Sequence, residues 1–122
     1  MKGLNKCYLI GRVGRDIELL DTDTGVYCKV NLATTSARKV DDEWVDKTEW
    51  FRLTAHGKEA LFLAENAGKG DSLAVECSLL NHEWVDSSGV QHRDLTLRVD
   101  RVLWLHKRNA KEAQDATAKE EG

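Results

Sequence analysis

Apolar and polar residues alternate along most of this chain, with the period of a β-strand that has one buried face. Val26–Thr35, Thr48–His56 and Ser72–His82 each place most of their apolar residues on one side. Lys6–Val13 and His92–Leu105 are two further apolar segments, and polar or glycine-containing stretches separate the five. The pattern therefore predicts five strands joined by turns or loops.

One segment breaks this alternation. Gly57–Asn66 is rich in residues that favour a helix, and Gly68 is placed to end it. The order is then three strands, one helix and two strands, which is the order of the OB-fold. We predict an all-β protein, a five-stranded OB-fold barrel with one helix between strands 3 and 4. Ser36–Lys47 is polar and is predicted to be a loop or an exposed hairpin tip.

The chain length of 122 residues favours a single domain. We assign residues 1–106 to the barrel and residues 107–122, which are charged and lack apolar periodicity, to a tail expected to be disordered. No apolar run reaches the ~18 residues of a membrane helix, and Met1–Lys6 lacks the features of a secretory signal. We therefore expect a cytoplasmic protein without a membrane partner.

Enzyme motifs are missing from the sequence. It has no phosphate-binding glycine loop, nucleophile elbow or zinc-protease motif, so we predict no enzyme activity, no catalytic residues and no cofactor. Cys7, Cys28 and Cys77 lie in strand-like runs and the histidines are scattered, which predicts no metal site. We expect these cysteines to be free, buried thiols in a reducing compartment.

Tryptophans outside the predicted core are the most informative feature. Trp50 and His56 fall on the face of strand 3 opposite its apolar residues, and Trp84 lies at the tip of the last hairpin. Exposed tryptophan lowers solubility, and stacking on unpaired bases is a reason to keep it at the surface. Trp44 suits base stacking and loop packing equally, whereas Trp104 is predicted to pack in the core or in an interface.

The charge of the chain limits the nucleic-acid hypothesis. A net charge of −3 counts against binding through overall positive charge. Local basic residues near the aromatic side chains could still form a positive track. Arg52 is the best placed, because alternation puts it on the face of Trp50. The other candidates are Arg12, Arg15, Arg38, Lys39, Lys58 and Arg98.

Five parts of the chain resemble motifs of the bacterial-type single-stranded DNA-binding (SSB) proteins. They stand in the order and spacing of that family, over about residues 3–105. Each motif is weak alone, and the five together are specific. The segments are Asn5–Asp16, Val30–Thr35, Thr48–Arg52 with His56–Lys58, Gly68–Asp71 and Glu83–Gly89.

The resemblance implies an OB-fold that wraps single-stranded DNA and usually assembles as a homotetramer. It implies that Trp50 and Trp84 occupy base-stacking positions, and that His56 stands where the family commonly has a phenylalanine. The family's first strand forms dimer contacts. The matching residues here, Cys7, Tyr8, Leu9 and Ile10, are apolar enough to do the same, and the sequence leaves a dimer and a tetramer open.

Two family features are replaced in this chain. A family tryptophan just after strand 2 is absent, so that Arg38 could stack through its guanidinium plane or Trp44 could supply a displaced ring. The family's flexible linker and acidic C-terminal tip, which recruit other proteins, are absent from Ala118–Gly122, so we do not expect recruitment by that route.

The function we predict is sequence-tolerant binding and protection of single-stranded DNA during replication, recombination or repair. One alternative is an OB-fold accessory protein of the primosomal or recombination type, which would act through protein contacts and bind DNA weakly. The net charge, His56 and the missing loop tryptophan favour it. A second alternative is an RNA-binding OB module, because only the family resemblance distinguishes DNA from RNA.

Overall fold

The computed structural model describes residues 1–108, which form six strands and one helix. The helix has its predicted bounds, and Gly57, with a φ of +59°, makes the turn from the preceding strand into it. Within the described residues, no helix is long and apolar enough to cross a membrane. The elements are β1 (Cys7–Val13), β2 (Leu19–Thr22), β3 (Gly25–Val40), β4 (Glu43–His56), α1 (Gly57–Asn66), β5 (Ser72–Val85) and β6 (Gln91–His106).

Five of the strands pair in a closed cycle. Their order is β1, β5, β6, β4 and β3, and β1 also pairs with β3. The β4–β6 pairing is parallel and the other four are antiparallel. β2 lies outside the cycle and pairs with β3. The OB-fold prediction is confirmed, and β2 was missed because its 4 residues are too few for a clear alternation.

The apolar sides of the strands form one core inside the cycle. Ala60 and Leu63 of α1 belong to the same cluster. Leu79, which alternation predicts to point inward, is 38% exposed because the second half of β5 continues beyond the core. The largest fully buried side chains are Val13, Val30, Leu32, Leu53, Leu63, Leu73, Val75, Cys28 and Cys77.

Two hairpins extend beyond this core. In the β3–β4 hairpin, residues 35–50 are all exposed, and the chain turns at Asp41 and Asp42, whose φ angles are +50° and +66°. Aspartate tolerates this left-handed conformation, which a two-residue hairpin turn requires. The polar segment 36–47 is therefore a paired hairpin. In the β5–β6 hairpin, the Asp86 carboxylate accepts the backbone N–H groups of Ser88 and Val90, both at 2.9 Å.

The buried carboxylate of Asp71 ties the end of β6 to the loop after α1. It accepts the backbone N–H groups of Gly68 and Arg108 and the Lys107 ammonium, each at 2.8 Å. Burial alone raises the pKa of Asp71, but these bonds outweigh it and lower the pKa below its usual value. Lys107 and Arg108 therefore contact the barrel, and the rest of the predicted tail, residues 109–122, lies outside the described part of the chain.

The three cysteines are free thiols. Cys28 and Cys77 are fully buried and Cys7 is half-buried. Burial raises the pKa of Cys77 to about 12 and also raises the pKa of Cys28. The prediction of free, buried thiols is confirmed for these two, and both are protonated and unreactive at neutral pH.

Candidate nucleic-acid interface

The side of β4 that faces away from the core carries Trp50, Arg52 and His56, as alternation predicts. Phe51, Leu53 and Ala55 point into the core between them. The β3 partners of these three outward residues are Ala33, Asn31 and Tyr27. Arg98 of β6 joins the same surface, because it pairs with Thr54. We call this surface, formed by Tyr27, Lys29, Asn31, Ala33, Trp50, Arg52, Thr54, His56 and Arg98, the outer face.

Trp50 is positioned by a glycine. A Cβ atom at Gly14 would lie 2.2 Å from Cζ3 of the Trp50 ring, so the indole occupies the space of a side chain at that position. The Gly14 N–H donates to the carbonyl of Asn31 at 2.8 Å, which fixes this piece of backbone against β3. Trp50 remains 61% exposed. The indole therefore rests against the protein on one side and is open to solvent on another.

Two cations of the outer face, Lys29 and Arg52, have no carboxylate partner among residues 1–108. Lys29 and Arg98 flank Thr54 on the neighbouring strands, and Arg52 lies two residues before Thr54. Within residues 1–108, neither Lys29 nor Arg52 forms a salt bridge, whereas Lys6, Lys39, Lys47, Arg93, Arg101 and Lys107 do. An acidic protein thus presents unpaired positive charge beside an exposed tryptophan. Lys29 was missing from the predicted track, although the alternation of β3 places it on this face.

His56 is the last residue of β4 and lies at the edge of the outer face. Its ring stacks on Tyr27, the paired residue of β3, with centroids 6.1 Å apart and planes inclined by 27°. The contact is loose, and His56 remains exposed. Tyr27, which we did not predict as a site residue, is therefore the ring next to His56 on this face.

The β3–β4 hairpin separates the two residues that could replace the missing tryptophan. Trp44 pairs with Lys39, and both lie on the side of the hairpin that carries Trp50, since positions 44 and 50 of β4 have the same parity. Arg38 pairs with Val45 on the other side. Trp44 is 73% exposed. Of the two candidates, Trp44 is thus the one that shares a side with Trp50.

Trp84 is held by contacts within the β5–β6 hairpin. It pairs across the strands with His92, and the two rings stack with centroids 4.3 Å apart and planes 17° from parallel. The indole N–H donates to Oδ2 of Asp94 at 3.1 Å. His92 in turn contacts Asp86, with 2.7 Å between Nε2 and Oδ2. Bonds from His92, Ser88 and Val90 lower the pKa of Asp86 to about 2, so this carboxylate is ionised at neutral pH.

The remaining predicted cations are spread over several elements. Arg12 pairs with Ala33, which in turn pairs with Trp50, so Arg12 lies in the row of Trp50; its Nη1 donates to the Gly70 carbonyl at 3.2 Å. Arg15 is exposed in the loop after β1. Lys58 lies on α1, in a groove that the helix shares with β6. Arg12 is therefore the one of these three that strand pairing connects to the outer face.

The predicted self-association strand has two different sides. Cys7 and Leu9 pack against the core, whereas Tyr8 and Ile10 point outward and are 61% and 70% exposed. Trp104 lies near Ile10, since both line one shallow pocket, and it is 50% exposed. It does not pack in the core, because β6 places it on the outward side. An interface role for it stays a prediction.

The described residues contain no group of three or more histidine, cysteine, aspartate or glutamate side chains that could hold a metal ion. The arrangement consists instead of exposed rings and unpaired cations on an OB-fold sheet. That combination is typical of proteins that bind single-stranded nucleic acid, because rings stack on bases and cations contact phosphates.

The chain belongs to the single-strand binding protein family, whose model matches residues 4–105. A single-stranded DNA-binding protein of Treponema pallidum (strain Nichols) is 32% identical over 85 residues, which are 69% of this chain and 48% of that protein. The matched region thus spans about half the length of this relative. The solved structure of Plasmodium falciparum SSB in complex with ssDNA has the same fold, with a TM-score of 0.72 and 23% identity, over 89% of this chain and 98% of that one.

Proposed function

We propose that this protein binds single-stranded DNA with little dependence on sequence and protects it during replication, recombination or repair. The observation that carries the proposal is the Trp50 ring, which rests on Gly14 and is open on the same face of the sheet as the unpaired cations Arg52 and Lys29. A ring in this setting can stack on any base, since every base has a π-face. Family membership and the likeness to an SSB solved with ssDNA support the same function.

The outer face also accounts for binding by a chain of net charge −3. Most of the described acidic groups that form a salt bridge lie away from this face. Lys29 and Arg52 are therefore available to contact phosphates. Binding then combines stacking energy with a small number of phosphate contacts. We infer that the protein acts by binding and not by catalysis, without a cofactor, and that it works in the cytoplasm.

We further propose that the protein assembles with copies of itself, as a homotetramer or a dimer. Tyr8, Ile10 and Trp104 support this, because three large exposed side chains on adjoining outward surfaces favour burial in an interface. Sedimentation analysis of Ile10→Glu tests it, with Leu4→Glu as the control because Leu4 is exposed before β1. A smaller species for Ile10→Glu alone is expected. An Ile10→Glu protein that sediments like the unaltered chain contradicts the role of this surface.

Tryptophan fluorescence tests DNA binding directly. Oligo-dT is titrated into the protein at two salt concentrations, and we expect quenching whose midpoint shifts to higher oligonucleotide concentration at high salt. Competition with a matched RNA oligonucleotide measures the preference for DNA. If oligo-dT changes neither the fluorescence nor the electrophoretic mobility at low salt, the proposed function is wrong.

A further inference from the structure

The Trp84 ring is the second exposed indole of the proposed interface, and its surroundings differ from those of Trp50. It stands on the part of the β5–β6 hairpin that extends beyond the core, where residues 79–85 are all exposed. It is nevertheless only 42% exposed. Two residues of the paired strand, β6, contact it: His92 and Asp94.

His92 covers one face of the indole. A centroid distance of 4.3 Å with planes 17° from parallel brings the two rings into face-to-face contact. Within residues 1–108, His92 is the one ring stacked on Trp84. A base can therefore approach the opposite face of the indole without displacing another ring.

Further contacts fix both rings. Asp94 accepts the indole N–H at 3.1 Å, which restricts rotation of Trp84 about its side-chain bonds. Asp86 holds the imidazole through a 2.7 Å contact to Nε2. The same carboxylate accepts the backbone N–H groups of Ser88 and Val90, so the imidazole is anchored to the hairpin turn itself. A continuous series of contacts therefore links the turn, Asp86, His92 and Trp84.

We propose that His92 is a positioning residue for DNA binding: it occupies one face of Trp84 and holds the ring ready for a base on the other face. This inference rests on the proposed function, because it assigns a role within the same interface. Its physical basis is preorganisation. A ring that is already immobilised loses less conformational freedom when a base stacks on it.

A double-mutant cycle on the full chain tests the proposal. The affinity for oligo-dT is measured for the unaltered protein and for His92→Ala, Trp84→Ala and the double variant. We expect His92→Ala to weaken binding about two- to tenfold, the range typical of one aromatic pair. In the Trp84→Ala background the same change is expected to have almost no effect. Equal losses in both backgrounds would overturn the proposal, as would unchanged affinity on loss of Trp84.

Two further variants separate positioning from folding. His92→Phe keeps a ring against Trp84 but cannot contact Asp86, and we expect it to restore most of the affinity that His92→Ala loses. His92→Phe as weak as His92→Ala would contradict positioning by stacking. Gln91→Ala is the control, because Gln91 is an exposed residue of the same hairpin that pairs with Val85, on the side opposite to Trp84. It is expected to bind like the unaltered protein, and a loss equal to that of His92→Ala would mean that any change in the hairpin suffices.

A measurement without DNA distinguishes failure of this inference from failure of the proposed function. In a full-length variant whose other tryptophans are changed to phenylalanine (Trp44, Trp50 and Trp104), Trp84 is the sole indole reporter. His92→Ala is expected to increase quenching of its fluorescence by acrylamide, since one face of the ring becomes open. If oligo-dT does not bind the unaltered protein but this increase is seen, the proposed function fails while the contact stands. No increase overturns the positioning role itself.

Discussion

Trp50 and Trp84 are exposed indoles on the same sheet, but the protein holds them in different ways. Trp50 lies on the backbone of Gly14, next to the barrel core, and the unpaired cations Arg52 and Lys29 lie on the same face of the sheet. Trp84 lies on a hairpin, where His92 and Asp94 hold it through side-chain contacts. The first site therefore suits a base together with its phosphate, and the second suits a base while its carboxylates disfavour phosphate.

The difference also concerns rigidity. The support of Trp50 is backbone that is hydrogen-bonded between strands, so it persists as long as the barrel is folded. The support of Trp84 consists of side-chain contacts to His92 and Asp94, on a hairpin whose residues 79–85 are all exposed. We therefore expect the loss of a single side chain to free the Trp84 ring, whereas Trp50 keeps its support as long as the barrel is folded.

Removal of the Trp50 ring is expected to have the largest effect. Trp50→Ala deletes the stacking surface, which is worth ~1–3 kcal/mol per base, or about 5- to 150-fold in affinity for oligo-dT. Trp50→Phe keeps a smaller ring and should lose less. Fluorescence anisotropy of a labelled oligonucleotide measures both. If Trp50→Ala loses no more affinity than Trp84→Ala, the distinction between the two sites is wrong.

Displacement of the Trp50 ring, without its removal, is expected to rank second. Gly14→Ala introduces a Cβ atom where Cζ3 of Trp50 lies, 2.2 Å away, so the indole must move. We expect a loss of oligo-dT affinity between about twofold and the loss for Trp50→Ala. Gly3→Ala is the matched control, because a Cβ atom at Gly3 meets nothing within 4 Å. If Gly14→Ala and Gly3→Ala bind alike, the glycine does not position the ring.

The sequence predicted the parts of these two sites that depend on local patterns, and it did not predict the parts that depend on contacts between distant residues. Alternation along β4 placed Trp50, Arg52 and His56 on one face, because the period of two is a local property of a strand. The contact of Gly14 with Trp50 joins parts of the chain 36 residues apart, and it depends on the β1–β3 pairing that closes the cycle. No local pattern contains that information.

The same contrast explains what was missed on the hairpins. The pairing of Trp84 with His92 depends on the register of β5 and β6, which the turn at Asp86 sets. The sequence indicated a turn there but not its register. Trp104 was predicted to lie in the core or an interface on grounds of its size. Alternation counted from the buried Val99 already places position 104 on the outward side of β6, and the two register shifts between β5 and β6, after Ala74 and after Glu76, together leave it there.

The salt dependence of oligo-dT binding compares the phosphate contacts at the two sites. We expect its change to be smaller than the affinity changes predicted for the Trp50 and Gly14 variants. Lys29→Ala and Arg52→Ala should each reduce the slope of log affinity against log salt concentration by about 0.7, the value for one contact to a single strand. Arg93→Ala is the control on the other hairpin, because its guanidinium is paired with Glu83 at 2.9 Å. We expect no change of slope for it. A slope that falls equally for Arg93→Ala would place phosphate along the Trp84 hairpin as well.

The smallest effect that we expect is the effect of low pH on the β5–β6 turn that Asp86 holds. The pKa of Asp86 is about 2, because bonds from His92, Ser88 and Val90 favour its ionised form over that in the unfolded chain. The stabilisation is therefore fully present above the unfolded value of about 3.8 and is lost only as the pH falls through about 2. NMR signals of the Ser88 and Val90 amides should shift as the pH falls from about 4 to about 2. Asp86→Asn should remove this shift. If the shift below pH 4 persists in Asp86→Asn, Asp86 does not control the turn, and the anchor of the Trp84 site lies elsewhere.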